Sequence, residues 1–286
     1  LGIVPSAETR ELAAAVRAGD PGASAAGGST ATPLPAPLVR DEGLAGRRDA
    51  LERLRGAWRD ASAGRLRLVC VTGEPGIGKT RTAAALAAEV HARGAAVLYG
   101  RCDEDALVPH QPFVEALERH LRALPPAERE EVIGPHRAGL ARILPAVDAE
   151  GPPAADDPET ARYRAFEAVR GLVEAIARRR PCLLVLDDVH WLDRAGLMLL
   201  RHLCRMVEDA RLMVLATYRD TEVGRGHPLA AALGDLEREL PVAPVALTGL
   251  DEDAVRELVR AAGGRDEDAR ELGGRARGNP LLLGEL

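Results

Sequence analysis

Eight consecutive residues, Gly73-Glu74-Pro75-Gly76-Ile77-Gly78-Lys79-Thr80, have types and spacing suited to holding phosphate groups. They satisfy the pattern GxxxxGK[ST] in full. Glycines at 73, 76 and 78 let the backbone take positive φ angles and bring its amides close to phosphate oxygens. Lys79 is the only lysine in a chain with 38 Lys plus Arg. Its compact ammonium on a flexible stem enters a narrow loop where the planar fork of arginine does not, so it is expected at the β/γ-phosphates. The Thr80 hydroxyl suits Mg²⁺, which binds through substrate phosphates and few protein ligands. With Arg81, which follows directly, the run predicts a site for a nucleoside triphosphate.

A second constellation is Leu183-Leu184-Val185-Leu186-Asp187-Asp188. Four apolar residues and then two acids put carboxylates at the C-terminal end of a buried strand, the edge where open α/β sheets hold ligands. Asp187 is expected to support Mg²⁺ through its water shell, and Asp188 to orient or deprotonate an attacking water. A solvated turn or a helix cap is the competing reading. Arg219 follows the apolar run 212–217 and is placed to sense a γ-phosphate; a surface arginine is the alternative. His190 and Trp191 read as packing beneath the site. Arg178-Arg179-Arg180 reads as a helix end, where cations complement the dipole. A guanine-reading NKxD needs a second lysine, and no LSGGQ-like segment occurs, so adenine is the expected base.

These residues need a scaffold. Strand-like runs at 66–72, 95–99, 182–186, 212–217 and 242–247 alternate with helical patterns at 48–61, 80–93, 111–123, 127–143, 159–179, 193–207 and 228–239. Alternation of this kind predicts an α/β fold, a three-layer sandwich with a mostly parallel sheet covered on both faces. Residues 148–158 read as a surface loop. The helical patterns at 251–262, 266–276 and from 280 onward read as the start of a lid. Residues 5–18 read as one short helix, and 19–37, rich in Gly, Ala, Ser, Thr and Pro, as a flexible linker. The expected divisions are therefore 1–18, 19–37, 38–247 and 248–286.

Bulk properties narrow the function. A hydrophobic fraction of 46% supports a core, but aromatics at 2% force it to be built from Ala, Leu and Val. A net charge of −6 leaves no global basic field to hold nucleic acid. Cys70, Cys102, Cys182 and Cys204 lack metal-ligand spacing and read as reduced and buried, which implies a cytoplasmic protein. No run approaches the ~18 apolar residues of a membrane span. The missing initiator Met and an end inside an apolar run suggest a piece of a longer protein.

Several segments now resemble a known group. Leu44-Ala45-Gly46-Arg47-Arg48 is similar to the hhGR[ED] segment that opens STAND-class AAA-type P-loop ATPase domains, with Arg48 replacing the usual acid. Gly100-Arg101-Cys102, Val108-Pro109-His110-Gln111-Pro112-Phe113 and Asp187-Asp188-Val189-His190-Trp191-Leu192-Asp193 resemble large ATP-binding bacterial transcriptional regulators of the SARP and LuxR types. Thr217-Tyr218-Arg219 resembles their sensor-arginine segment. Gly278-Asn279-Pro280-Leu281 resembles the GxP motif of their lid, whose proline lies near adenine. The resemblance covers about 38–286, and residues 1–10 are similar to the last helix of a bacterial transcriptional activation domain.

The resemblance implies the strand order of AAA-type ATPases, ATP/ADP and Mg²⁺ as ligands, and nucleotide contacts from Gly46, Arg47 and Pro280. It also implies DNA binding only through domains outside this chain, and ATP-dependent homo-oligomerisation. The expected function is a slowly hydrolysing ATP switch in a transcriptional regulator. The rivals are an ADP-holding module without turnover, a P-loop kinase or continuously cycling ATPase, and a direct DNA binder.

Overall fold

In strand β1 (Arg67–Thr72), Leu68 and Cys70 bury into one layer while Val69 and Val71 bury into the other. This follows from the period of two in a strand. Because both faces are covered, the strand reads as a continuous apolar run. The computed structural model describes residues 32–39, 44–105, 108–148, 156–206 and 210–285. The helix expected at 5–18 and most of the linker expected at 19–37 lie outside them.

Ahead of β1 stands helix α1 (Arg48–Ser62), and after it come α2 (Lys79–Ala92) and β2 (Ala96–Arg101). Next are α3 (Gln111–Ala123), α4 (Pro126–Ile133) and α5 (Arg137–Leu140). The long helix α6 (Pro158–Arg179) leads into β3 (Cys182–Asp187). Then follow α7 (Arg194–Met206), β4 (Leu212–Tyr218), α8 (Pro228–Glu237) and β5 (Val242–Ala246). Three helices close the described chain: α9 (Glu252–Ala261), α10 (Asp266–Ala276) and α11 (Pro280–Glu285).

The sheet has five strands in the order β2-β3-β4-β1-β5, and every pairing is parallel. This is the expected α/β three-layer fold. One face is packed by α3, α6, α7 and α8, the other by α1 and α2. Leucine, valine and alanine dominate both cores, with Phe113 and Phe166 on the first. All four cysteines are free and buried. Among the described residues no helix is long and apolar enough to cross a membrane.

Two local expectations change. The pattern at 127–143 reads as one helix, but the chain breaks at Gly134–His136 into a short 3-10 turn between α4 and α5. Pro135 removes a backbone donor and crowds the preceding turn, which stops an α-helix. The stretch 32–37, read as linker from its composition, packs on the domain. Leu34 lies against the second core, Leu38 is fully buried in it, and the Thr32 carbonyl lies 2.7 Å from His91 Nε2.

His120, on α3, gives this scaffold an acid weakness. It is buried, its Nδ1 has no hydrogen-bond partner among the described residues, and burial, assisted by Arg180, pushes its pKa from 6.5 to about 4. Between those values the unfolded chain binds the proton more readily, so stability is present above pH 6.5 and is lost as pH falls toward 4. At pH 5 the loss is about 2 kcal/mol. Urea melts from pH 7.5 to 5 should show it, and His120→Leu should flatten that slope.

Candidate nucleotide-binding site

The glycine loop leaves the C-terminal end of β1 and enters α2 through Gly78, whose φ of 102° lies in the left-handed region. No side chain caps α2, so its first-turn N–H groups are available to a ligand at the helix N-terminus. Among the described residues nothing lies within 4 Å of where a Gly78 Cβ would stand, so open space borders the loop here. Gly76 differs: a Cβ there would meet Leu281 Cβ at 2.7 Å. One glycine thus keeps room at the helix N-terminus, and the other lets α11 settle on the loop.

Lys79 is buried, and its Nζ donates to the carbonyls of Gly73 and Glu74, each at 2.9 Å. Burial lowers its pKa, with Asp188 the largest opposing influence. Thr80 Oγ1 donates to the Asp187 carboxylate, 2.9 Å from Oδ2 and 3.0 Å from Oδ1. Asp187, 2% exposed, also accepts from Tyr99 Oη at 3.1 Å and from Thr217 Oγ1. Its carboxylate is thus surrounded by hydroxyl donors from β2, α2 and β4. A cation held by oxygen ligands fits beside this group, because the Thr80 hydroxyl gives its proton to Asp187 and keeps lone pairs for a metal, with the Asp187 carboxylate one hydrogen bond behind it.

Asp188 occupies the left-handed region at φ 58°, which aspartate tolerates better than most side chains. Its N–H donates to Thr217 Oγ1 at 2.9 Å. Burial, then the neighbouring Asp187 charge, raises its pKa, while Arg101, Arg219 and Lys79 pull the other way. Arg101 Nη2 approaches Asp188 Oδ2 to 3.6 Å. Arg219 reaches toward the same space but donates to Glu222 Oε1 at 2.6 Å.

These groups border one open cleft of about 770 Å³. Its lining includes Pro75, Gly76, Gly78, Lys79, Thr80, Arg81, Asp188, Arg219 and Pro280, so the structure brings most of the expected residues together. Val39 and Leu281 complete an apolar end that sequence reading missed. Both are half exposed, at 50% and 56%, and it is exposure of large hydrophobics beside a cleft, visible only in the fold, that marks them. Of the remaining loop residues, Glu74 points to solvent, while Ile77 is buried in the core.

Gly46 and Arg47 do not line this cleft; they border a separate groove against α9. Arg47, 7% exposed, donates to the carbonyls of Ile77 and Thr248, both at 2.8 Å. It therefore ties the glycine loop to the root of the helical segment. Arg47→Ala should leave the buried Ile77 bond unmade at a cost of about 1–3 kcal/mol. Thermal melts should show the loss, and Arg47→Lys should not recover it because an ammonium lacks the two-pronged fork. Gly46 is needed for packing, since a Cβ there would stand 2.4 Å from Ala254 Cβ.

A parallel sheet in this order, with a GxxxxGK[ST] loop leaving β1 and an acid pair ending β3, is the arrangement of P-loop NTPases. Within that class the chain belongs to the AAA ATPase domain family, which matches residues 43–215.

A curated relative, an uncharacterized protein of Rhizobium meliloti (strain 1021), is 25% identical over 195 residues, 62% of this chain. The match spans only 18% of that relative's length. Similar solved structures include a Walker-type ATPase of Pyrococcus abyssi, at 14% identity and a TM-score of 0.48, covering 85% of this chain and 67% of that one. The ORC1 protein of Aeropyrum pernix, solved in complex with DNA, is 15% identical with a TM-score of 0.49, covering 86% and 60%. The RuvB Holliday junction branch migration motor of Thermotoga maritima is 17% identical with a TM-score of 0.44, covering 84% and 59%.

Proposed function

We propose that the chain is the ATP-binding, slowly hydrolysing switch domain of a bacterial transcriptional regulator. One observation carries the switch: the helical segment sits directly on the phosphate loop. Asn279 Nδ2 donates to the Pro75 carbonyl at 2.9 Å, and Asn279 Oδ1 accepts from the Leu281 N–H at 3.0 Å. A ligand entering beneath Leu281 therefore meets loop and lid together.

In this reading the loop amides and Lys79 bind the β/γ-phosphates, and Thr80 and Asp187 hold Mg²⁺. The metal supplies positive charge that offsets the phosphates. Asp188 orients an attacking water and accepts its proton, and Arg219 contacts the γ-phosphate. Val39, Pro280 and Leu281 form the apolar end for the base. Gly46 and Arg47 support the loop from its far side. Binding biases the lid only so far as affinity differs between its two positions. DNA recognition belongs to parts of the regulator outside this chain, a reading favoured by the net charge of −6.

Hydrogen exchange across residues 250–285, with ADP and then with ATPγS, tests the switch. Protection that differs between the two nucleotides supports it. Equal protection would leave a domain that holds nucleotide without reporting its γ-phosphate.

A further inference from the structure

Arg219 is engaged where it stands. Its Nη1 donates to Glu222 Oε1 at 2.6 Å, and this pair raises the arginine pKa and lowers that of the glutamate. Both side chains are about one third exposed, 32% and 33%. A pair in that setting is weak and exchanges readily.

The other oxygen of Glu222 faces an unusual neighbour. His190 Nε2 lies 3.3 Å from Glu222 Oε2, yet among the described residues neither ring nitrogen of His190 makes a hydrogen bond. The His190 side chain is 1% exposed and is held against the Trp191 ring, with centroids 5.0 Å apart. Burial keeps the imidazole neutral, with its pKa pushed down to about 4. A neutral imidazole still has one N–H to give. An unsatisfied polar group in a buried position favours any rearrangement that supplies a partner.

We propose that Glu222 is a positioning residue that withholds Arg219 from the γ-phosphate and moves its carboxylate onto His190 when a triphosphate takes the arginine. The inference rests on the reading of Arg219 as the γ-phosphate contact. Asp188 and Glu104 also face Arg219, but Glu222 is its hydrogen-bonded partner. His190 gives the displaced carboxylate a second seat through its one N–H, and the one-third exposure of Glu222 leaves the rest of its charge to water. Arg219 discriminates ATP from ADP, because only a γ-phosphate competes for the guanidinium, and Glu222 tempers that preference. While Glu222 holds the arginine, the competent fraction is reduced, and apparent ATP affinity falls by that fraction.

The test measures binding of Mg²⁺·ATPγS and of ADP by titration calorimetry. It uses the 286-residue chain as wild type, Glu222→Gln, Arg219→Ala and the double variant. Glu222→Gln should tighten ATPγS by about two- to fivefold, the range of a weak ion pair, and leave ADP unchanged. In the Arg219→Ala background that gain should vanish. His190→Leu should lower the ATPγS-to-ADP preference when Glu222 is present and do nothing further beside Glu222→Gln.

If Arg219→Ala lowers the preference but Glu222→Gln leaves it unchanged, the withholding role is wrong and the sensor reading stands. If Arg219→Ala itself leaves the preference unchanged, both are wrong. If Glu222→Gln tightens ATPγS equally without Arg219, Glu222 acts only as a nearby negative charge and the proposal fails.

Discussion

Asp188→Asn is expected to slow single-turnover phosphate release by about 10²–10⁴-fold while ATP remains bound. Asparagine is nearly isosteric with aspartate and tolerates the left-handed backbone found there, φ 58°. The bond from the residue 188 N–H to Thr217 Oγ1 involves only backbone on that side, so it survives the change. What disappears is a carboxylate whose burial raises its pKa. A base raised toward the working pH accepts a proton more effectively. The substitution also removes the charge opposite Arg101, 3.6 Å away, which leaves that arginine without this partner. Release by the wild type and a stalled, ATP-loaded variant support hydrolysis at this carboxylate. Retained nucleotide without turnover in both points instead to a holding module.

Lys79→Ala is expected to weaken ATP binding by about a hundredfold or more. That is the size of two charge-assisted hydrogen bonds at about 1.5–3 kcal/mol each. The fold should survive. Nζ bonds the buried Gly73 carbonyl and the more open Glu74 carbonyl; water can replace it at Glu74, and the unmade Gly73 bond costs about 1–3 kcal/mol, which lowers the melt without unfolding the chain. Equilibrium titration with ATP, alongside a thermal melt, separates the two effects. An affinity equal to wild type with an intact melt means that the phosphates bind elsewhere.

The parts of this domain most legible in sequence were those governed by local chemistry. Buried parallel strands such as Cys182–Asp187 announce themselves as apolar runs, and their acids mark the ligand edge. The glycine loop is readable because its backbone demands are written in residue types. Pro135 shows a local signal that was present but outweighed by the helical pattern around it, and the helix broke there.

The rest was hidden because it depends on strand order and on partners far apart in the chain. Tyr99 reaches Asp187 only because β2 pairs with β3, and Thr217 reaches it because β4 pairs with β3 on the other side. Arg101 faces Asp188 for the same reason. Arg47 carries the right residue type for an anion contact, yet it spends its guanidinium on two carbonyls, one of them 201 positions away. Val39 and Leu281 joined one cleft from opposite ends of the domain, which no spacing rule reports.

The three loop glycines are constrained for different reasons, and that bears on how such a domain decays. Gly73 is pressed by the Leu247 carbonyl, 2.5 Å from where its Cβ would stand, and Gly76 by Leu281. Gly78 meets nothing among the described residues, although its φ of 102° still disfavours other side chains. A lineage that abandoned nucleotide chemistry would still be bound to Gly73 while the chain leaving β5 kept its place, and to Gly76 while α11 stayed docked. Lys79 and Thr80 would be free to drift, with Gly78 restrained only by its backbone angle. A surviving Gly76 is therefore a fossil of the docked helix and a surviving Gly73 of the sheet edge, and only the lysine records the chemistry.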